Sequence, residues 1–210
     1  MKKSFVLFEI IIVILIISLI YSSFTPKKSE NKLEELTQRV KLYLNYTRYK
    51  ALLFDSYNEY KIVDEKGIEK ENMWYKQRWT MKFQKCNSSI GGIHFSIYSD
   101  KNMAGHINRV ETLKDPLTNR YIYANNQCNE DAKDSKYTLI TKNFGVEDIN
   151  ISCNSTSSLG QISFGNDGKV YSRLSEEGLY EIKSPCKMTF IDKNGNSKTI
   201  TIHPNSGFIE

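Results

Sequence analysis

Apolar residues run from Phe5 to Phe24, interrupted only by hydroxyl-bearing side chains and a single acid, Glu9. About 20 residues at roughly 1.5 Å each make a helix about 30 Å long, the hydrocarbon thickness of a bilayer, so the pattern predicts a membrane-spanning helix over residues 5–26. Pro26 should bend or interrupt it. From Ser29 the period becomes three to four, through Leu33, Leu36, Val40, Leu44, Thr47, Ala51 and Phe54. This predicts that the helix continues as an amphipathic segment over 27–56, with one face in a core and Glu34, Glu35, Arg39, Lys41, Arg48 and Lys50 on others.

After residue 57 the period falls to two. Strands are expected at Glu59–Val63, Trp74–Phe83 and Ile93–Tyr98, the last two alternating as half-buried antiparallel strands do. Ser99–Ser135 is irregular and reads as an insertion held by Cys128, with one short strand at Tyr121–Ala124. Seven more short strands follow: Tyr137–Thr141, Ile149–Cys153, Gln161–Phe164, Lys169–Ser172, Leu179–Ile182, Lys187–Ile191 and Lys198–His203. Gly165-Asn166-Asp167-Gly168 and Asp192-Lys193-Asn194-Gly195-Asn196 supply hairpin turns. The expected fold is α+β: a long N-terminal membrane-spanning helix packed on an antiparallel β-sheet or sandwich that occupies residues 57–210.

Composition narrows the function classes. The chain has 210 residues and a net charge of +5, too slight an excess to argue for nucleic acid by itself. Cys86, Cys128, Cys153 and Cys186 are widely spaced with no Cys-x-x-Cys, which favours two disulfides in an exported domain over a zinc cluster. Four cysteines permit three pairings. The sequential one, Cys86 with Cys128 and Cys153 with Cys186, is the preferred expectation. His94, His106 and His203 are far apart, and no His-Glu-x-x-His, Gly-x-Ser-x-Gly or phosphate-cradling glycine loop occurs, so no enzyme and no cofactor is expected. The acids of 99–135 lack a spaced Asp-x-Asp-x-Asp-Gly run, so they are read as a solvated loop, with no metal.

Glu9 calls for an explanation, because an acid deep in a bilayer costs about 2.5–3.5 kcal/mol on insertion scales. If the chain is cut between Ser4 and Phe5, a new amine appears one helical turn before Glu9. The carboxylate of one copy can then neutralise the amine of a neighbouring copy. Lys2-Lys3-Ser4 followed by Phe5-Val6-Leu7-Phe8-Glu9 resembles the processing site of type IV pilins and type II secretion pseudopilins. The resemblance implies a leader at residues 1–4, cleavage by a prepilin peptidase before Phe5, N-methylation of Phe5, and assembly guided by Glu9. Ser4 departs from the glycine that the family most often carries. A second likeness, of pattern only, joins the strand order and the ending Ser206-Gly207-Phe208-Ile209 to minor pseudopilin H and FimT-like minor pilins.

The resemblance implies a structural subunit of a type IV pilus or a type II secretion pseudopilus. Its partners would be the prepilin peptidase, other subunits, an inner-membrane assembly platform and membrane lipid. It would be a single-pass inner-membrane protein with the 57–210 domain in the periplasm. The alternative is a DNA-uptake pilin binding duplex through a basic patch, although Phe208, Ile209 and Glu210 stand where such members carry arginines.

Overall fold

A computed structural model describes residues 3–24, 31–53, 75–174 and 178–210. The chain divides into two units, Met1–Asn31 and Lys32–Glu210. The first contains helix α1, Lys3–Phe24. The membrane-spanning helix expected over 5–26 is not found: among the described residues no helix is long and apolar enough to cross a membrane. The apolar surface whose side chains are described runs from residue 8 to residue 20, about 20 Å of helix against the roughly 30 Å that a bilayer core requires. The fold is α+β with antiparallel sheets, as expected, but the helix that covers them belongs to the second unit.

That helix, α2, spans Lys32–Leu53. Glu34 and Glu35 in its first turn and Lys50 in its last complement the helix dipole. Its buried face is Leu33, Leu36, Thr37, Val40, Tyr43, Leu44, Thr47 and Ala51, close to the stripe predicted; Phe54 lies outside the described residues. The two threonines enter this face because each hydroxyl donates one turn back, Thr37 to the Leu33 carbonyl at 2.7 Å and Thr47 to the Tyr43 carbonyl at 2.6 Å.

Two antiparallel sheets complete the unit. The first has four strands in the order β2-β1-β4-β5: β1 Trp79–Lys85, β2 Ile93–Tyr98, β4 Gly160–Phe164 and β5 Val170–Tyr171. The second has three in the order β3-β6-β7: β3 Val146–Ile151, β6 Cys186–Asp192 and β7 Ser197–Ile202. Both predicted hairpin turns form. Gly168 takes φ +80°, and the β6–β7 turn closes with the Asp192 N–H donating to the Asn196 carbonyl at 3.0 Å.

Between the sheets, Met81, Phe83, Phe95, Ile97, Ile162 and Phe164 face Met188, Phe190, Ile200 and Ile202 in one core. Phe83 sits at its centre, 5.7 Å from Phe95 and 6.1 Å from Phe190. Phe95 also meets Tyr43 of α2 at 6.0 Å. Sheet two alternates as expected, with Thr189 and Thr199 outward and hydrogen-bonded to each other at 2.9 Å. Sheet one does not. On its far face Thr80, His94, Ser96 and Ser163 are buried too, while Lys82 and Gln84 of β1 are half-buried, and Arg78 stacks on the Tyr171 ring at 3.6 Å.

Several expected strands take other forms. Tyr137–Thr141 is a 3₁₀ turn, Lys136–Thr138, followed by a short helix α3, Ile140–Phe144. Tyr121–Ala124 forms only single bridges, and Leu179–Ile182 meets β5 through one bridge, Glu181 opposite Tyr171, beside which the Ile182 N–H donates to the Val170 carbonyl at 2.9 Å. Tyr75–Gln77 is a helical turn before β1; Glu59–Val63, with the turn after it, lies outside the described residues. The segment 99–135 is packed in part, with Ser99, Asp100, Met103, 111–113, Asp115, Ile122, Ala124, Asp134 and Ser135 buried between exposed stretches. Ile122 is fully buried and is hydrogen-bonded to Ile97 and Leu113, and Tyr43 donates to Asp115 at 2.8 Å.

Burial on the far face of sheet one has a pH consequence. His94 is wholly enclosed, and burial pushes its imidazole from 6.5 down to about 4, with Asn126 opposing in part. Between those values the unfolded chain binds a proton that the native chain refuses. Stability therefore falls as pH drops through that window, by up to about 3 kcal/mol, and is fully present above 6.5. A His94→Gln chain should show a flatter dependence of its urea midpoint between pH 7 and 4 than the wild type; an unchanged slope would assign the acid sensitivity elsewhere.

Candidate assembly surface

Every described side chain of α1, residues 8–20, is exposed. Phe8 is 66% exposed, Leu15 57% and Leu19 68%. Ser18 does not break this surface, because its hydroxyl turns back to the Leu15 carbonyl at 2.8 Å. Glu9 is exposed and is the one ionisable residue of the stretch. Ser4 and Phe5 fall in the first turns of α1, so the proposed cut and the carboxylate are one turn apart along the helix. A contiguous exposed apolar surface of this kind makes α1 a candidate interaction site.

On the side of α2 away from the core, Leu42, Tyr49 and Leu53 are exposed, and the half-buried Tyr46 completes a stripe spaced by four, three and four residues. Such a stripe suits packing against another helix. Lys50 stands over the Tyr46 ring at 5.5 Å. Arg48, expected on a solvated face, instead donates from Nε to the Ser206 carbonyl at 2.7 Å and so ties the C-terminal turn to α2. Lys198 of β7 meets Glu34 at 2.8 Å, and that hydrogen bond, with help from Gln38, holds the Glu34 carboxyl below its ordinary range.

The last residues extend sheet two. Thr201 and Glu210 exchange backbone hydrogen bonds at 2.9 and 3.0 Å, and Ile209 is buried opposite Ile202. Phe208 stays exposed beside the His203 ring. The four cysteines pair as preferred from the sequence. Cys86–Cys128, with Cα atoms 5.8 Å apart, fastens the 99–135 segment to the end of β1, and Cys153–Cys186, 5.3 Å apart, joins the chain after β3 to β6.

The sequence reading missed the acids of the middle segment. Asp100, Glu111, Asp115 and Asp134 are all buried. Asp134 is matched by Arg109, which bonds it and Asp131 at 2.8 Å each. Asp115 is satisfied by Tyr43, Ser135 and the Leu117 N–H. Comparisons with protein families, with curated proteins and with solved structures give no match.

Proposed function

We propose that this chain is a minor pilin or pseudopilin, a structural subunit that a prepilin peptidase processes before assembly into a pilus or secretion pseudopilus. One observation carries the reading: α1 is an exposed apolar rod whose only carboxylate, Glu9, stands one turn after Phe5, behind Lys2-Lys3-Ser4. Cleavage between Ser4 and Phe5 gives each copy a free, then methylated, amine. In the filament, Glu9 of one copy pairs with the amine of the next in an environment of low dielectric, where a misplaced charge is costly, so the pair sets the register. The exposed residues of α1 are buried by neighbouring copies.

The second unit is the disulfide-tied domain. Two disulfides suit it to an oxidising compartment such as the periplasm or a filament surface. Its partners are the peptidase, other subunits and an assembly platform, and its work is contact rather than catalysis.

The test begins with the N-terminus. In cells holding a matching prepilin peptidase, the mature chain is expected to start at Phe5, with or without one methyl group, by intact mass and terminal sequencing. A chain still starting at Met1 would overturn the reading. Glu9→Ala should be cut normally yet fall at least about tenfold in the sheared filament fraction, because the loss of a buried charge partner acts on assembly and not on the peptidase site. Equal incorporation of wild type and Glu9→Ala would remove Glu9 from the mechanism.

A further inference from the structure

Asp100 to Glu111 is a twelve-residue loop, Asp-Lys-Asn-Met-Ala-Gly-His-Ile-Asn-Arg-Val-Glu, that leaves β2 and ends in a 3₁₀ turn. Its two terminal acids are buried, Asp100 at 4% and Glu111 at 7% exposure. Each carboxylate has one oxygen tied to the loop's own backbone. The Gly105 N–H donates to Asp100 Oδ2 and the Asn102 N–H to Glu111 Oε1, both at 3.0 Å. The other two oxygens, Asp100 Oδ1 and Glu111 Oε2, are buried with no hydrogen-bond partner among the described residues.

Two buried carboxylates with an unmatched oxygen apiece leave a deficit that a neutral donor fills only in part. Arg109, between the two acids in sequence, is already committed to Asp131 and Asp134. The group that answers this arrangement is a cation, and oxygen donors select a hard one.

The spacing says which. Calcium loops of twelve residues take ligands from positions 1, 3, 5, 7 and 9 and a bidentate glutamate at 12, with glycine at 6 for the turn. Here position 1 is Asp100, 3 is Asn102, 6 is Gly105, 9 is Asn108 and 12 is Glu111. Gly105 takes φ +76°, and no atom lies near where its Cβ would be, so glycine is needed there for the backbone and not for space. Only position 5 departs, where Ala104 offers no side-chain oxygen. Asn102 at position 3 and Ala104 at position 5 are why a search for Asp-x-Asp-x-Asp-Gly passes over the loop.

We propose that the 100–111 loop binds one calcium ion through Asp100, Asn102 and the Glu111 carboxylate, with main-chain carbonyls and water completing the shell. Asp100 and Gly105 line a cleft of about 470 Å³ that opens the loop to solvent, and this is the entry path. Lys76, Lys82 and Arg173 line the same cleft, so calcium enters against positive charge. With two carboxylates instead of three or four, the dissociation constant belongs in the weak class of extracellular modules, about 10⁻⁴–10⁻³ M. Magnesium, which demands smaller and more regular octahedral geometry, binds less well. None of this depends on the filament reading.

The test uses the full-length chain in detergent, titrated calorimetrically with calcium chloride and melted in EDTA, calcium or magnesium at matched ionic strength. One site per chain is expected, with an upward shift in Tm in calcium and a smaller one in magnesium. Glu111→Gln should lose both the calcium heat and the shift, yet melt in EDTA at or above the wild-type temperature, because one of two unmatched charges is gone. Glu111→Asp should weaken binding by more than the roughly tenfold that follows from losing an outer-shell partner. Asp100→Asn serves as a second variant with the same expected losses. No heat and no shift at about 5 mM calcium, well above the expected constant, would overturn the proposal, and so would calcium binding that Glu111→Gln and Asp100→Asn leave unchanged.

Discussion

Phe83→Ala is expected to cost about 3–5 kcal/mol, the largest loss of any single side chain in the unit. Phe83 is fully enclosed on β1 and packs 5.7 Å from Phe95 in its own sheet and 6.1 Å from Phe190 in the other. Through Phe95 it also reaches Tyr43 of α2. Truncation removes a ring from the point where both sheets and the helix share one packing cluster. None of the three can close the hole without disturbing its contacts with the other two, so the cavity term is added nearly in full. Urea unfolding should show a lower midpoint at an unchanged m-value, with Phe83→Leu losing less than half as much. Phe208→Ala, by contrast, should be close to neutral because Phe208 is 55% exposed. A cost below about 1 kcal/mol for Phe83→Ala would mean that the sheets do not meet at this residue.

Removing the Cys153–Cys186 bridge ranks second, at about 4 kcal/mol. The bridge spans 33 residues, for which loop-closure entropy in the unfolded chain gives that figure. Cys186 is also wholly buried at the start of β6, so the Cys153→Ser, Cys186→Ser chain places a hydroxyl in an apolar site as well. The Cys86–Cys128 bridge spans 42 residues and is worth a similar amount by the same reasoning, but its loss should be felt locally. It fastens the 99–135 segment, so limited proteolysis of the Cys86→Ser, Cys128→Ser chain should cut there first. The Cys153/Cys186 variant should instead show a global drop in its thermal midpoint. If both double variants melt together with the wild type, the pairing is not the one described.

What could be read from the sequence tracks how one-sided each element is. α2 buries a single face along its whole length, so its period was visible. Sheet two is also one-sided, and β6, β7 and their turn were placed almost residue for residue. Sheet one is covered over most of both faces, and the alternation of Thr80 and Lys82 with Met81 and Phe83 therefore suggested a more solvated side than the one found, where Thr80 is buried and Lys82 half-buried. Tyr137–Thr141 has the β-branched and aromatic composition of a strand. Its Thr141 hydroxyl instead accepts from the Ile93 N–H and donates to the Val146 carbonyl, ties that only the tertiary structure supplies. The buried acids of 99–135 escaped because charge alone reads as exposure; Asp115 is silenced by Tyr43, 72 residues away in sequence. In α1 the motif residues Ser4, Phe5 and Glu9 stood out by type, while the length of apolar surface did not match the span that hydropathy suggested.

The crossing from β1 to β4 also sets an order of events in folding. The Thr80 hydroxyl bonds Ser163 across 83 residues of chain, whereas β6 and β7 pair across a four-residue turn. Loop-closure entropy favours the short hairpin first and makes the β1–β4 seam among the last and slowest contacts to close. Until that seam forms, β1 and β4 each present an unpaired edge in a chain that also carries an exposed apolar helix. The interval between synthesis and closure of β1 on β4 is thus when self-association is most dangerous, and a chaperone acting on this protein would have most to do then.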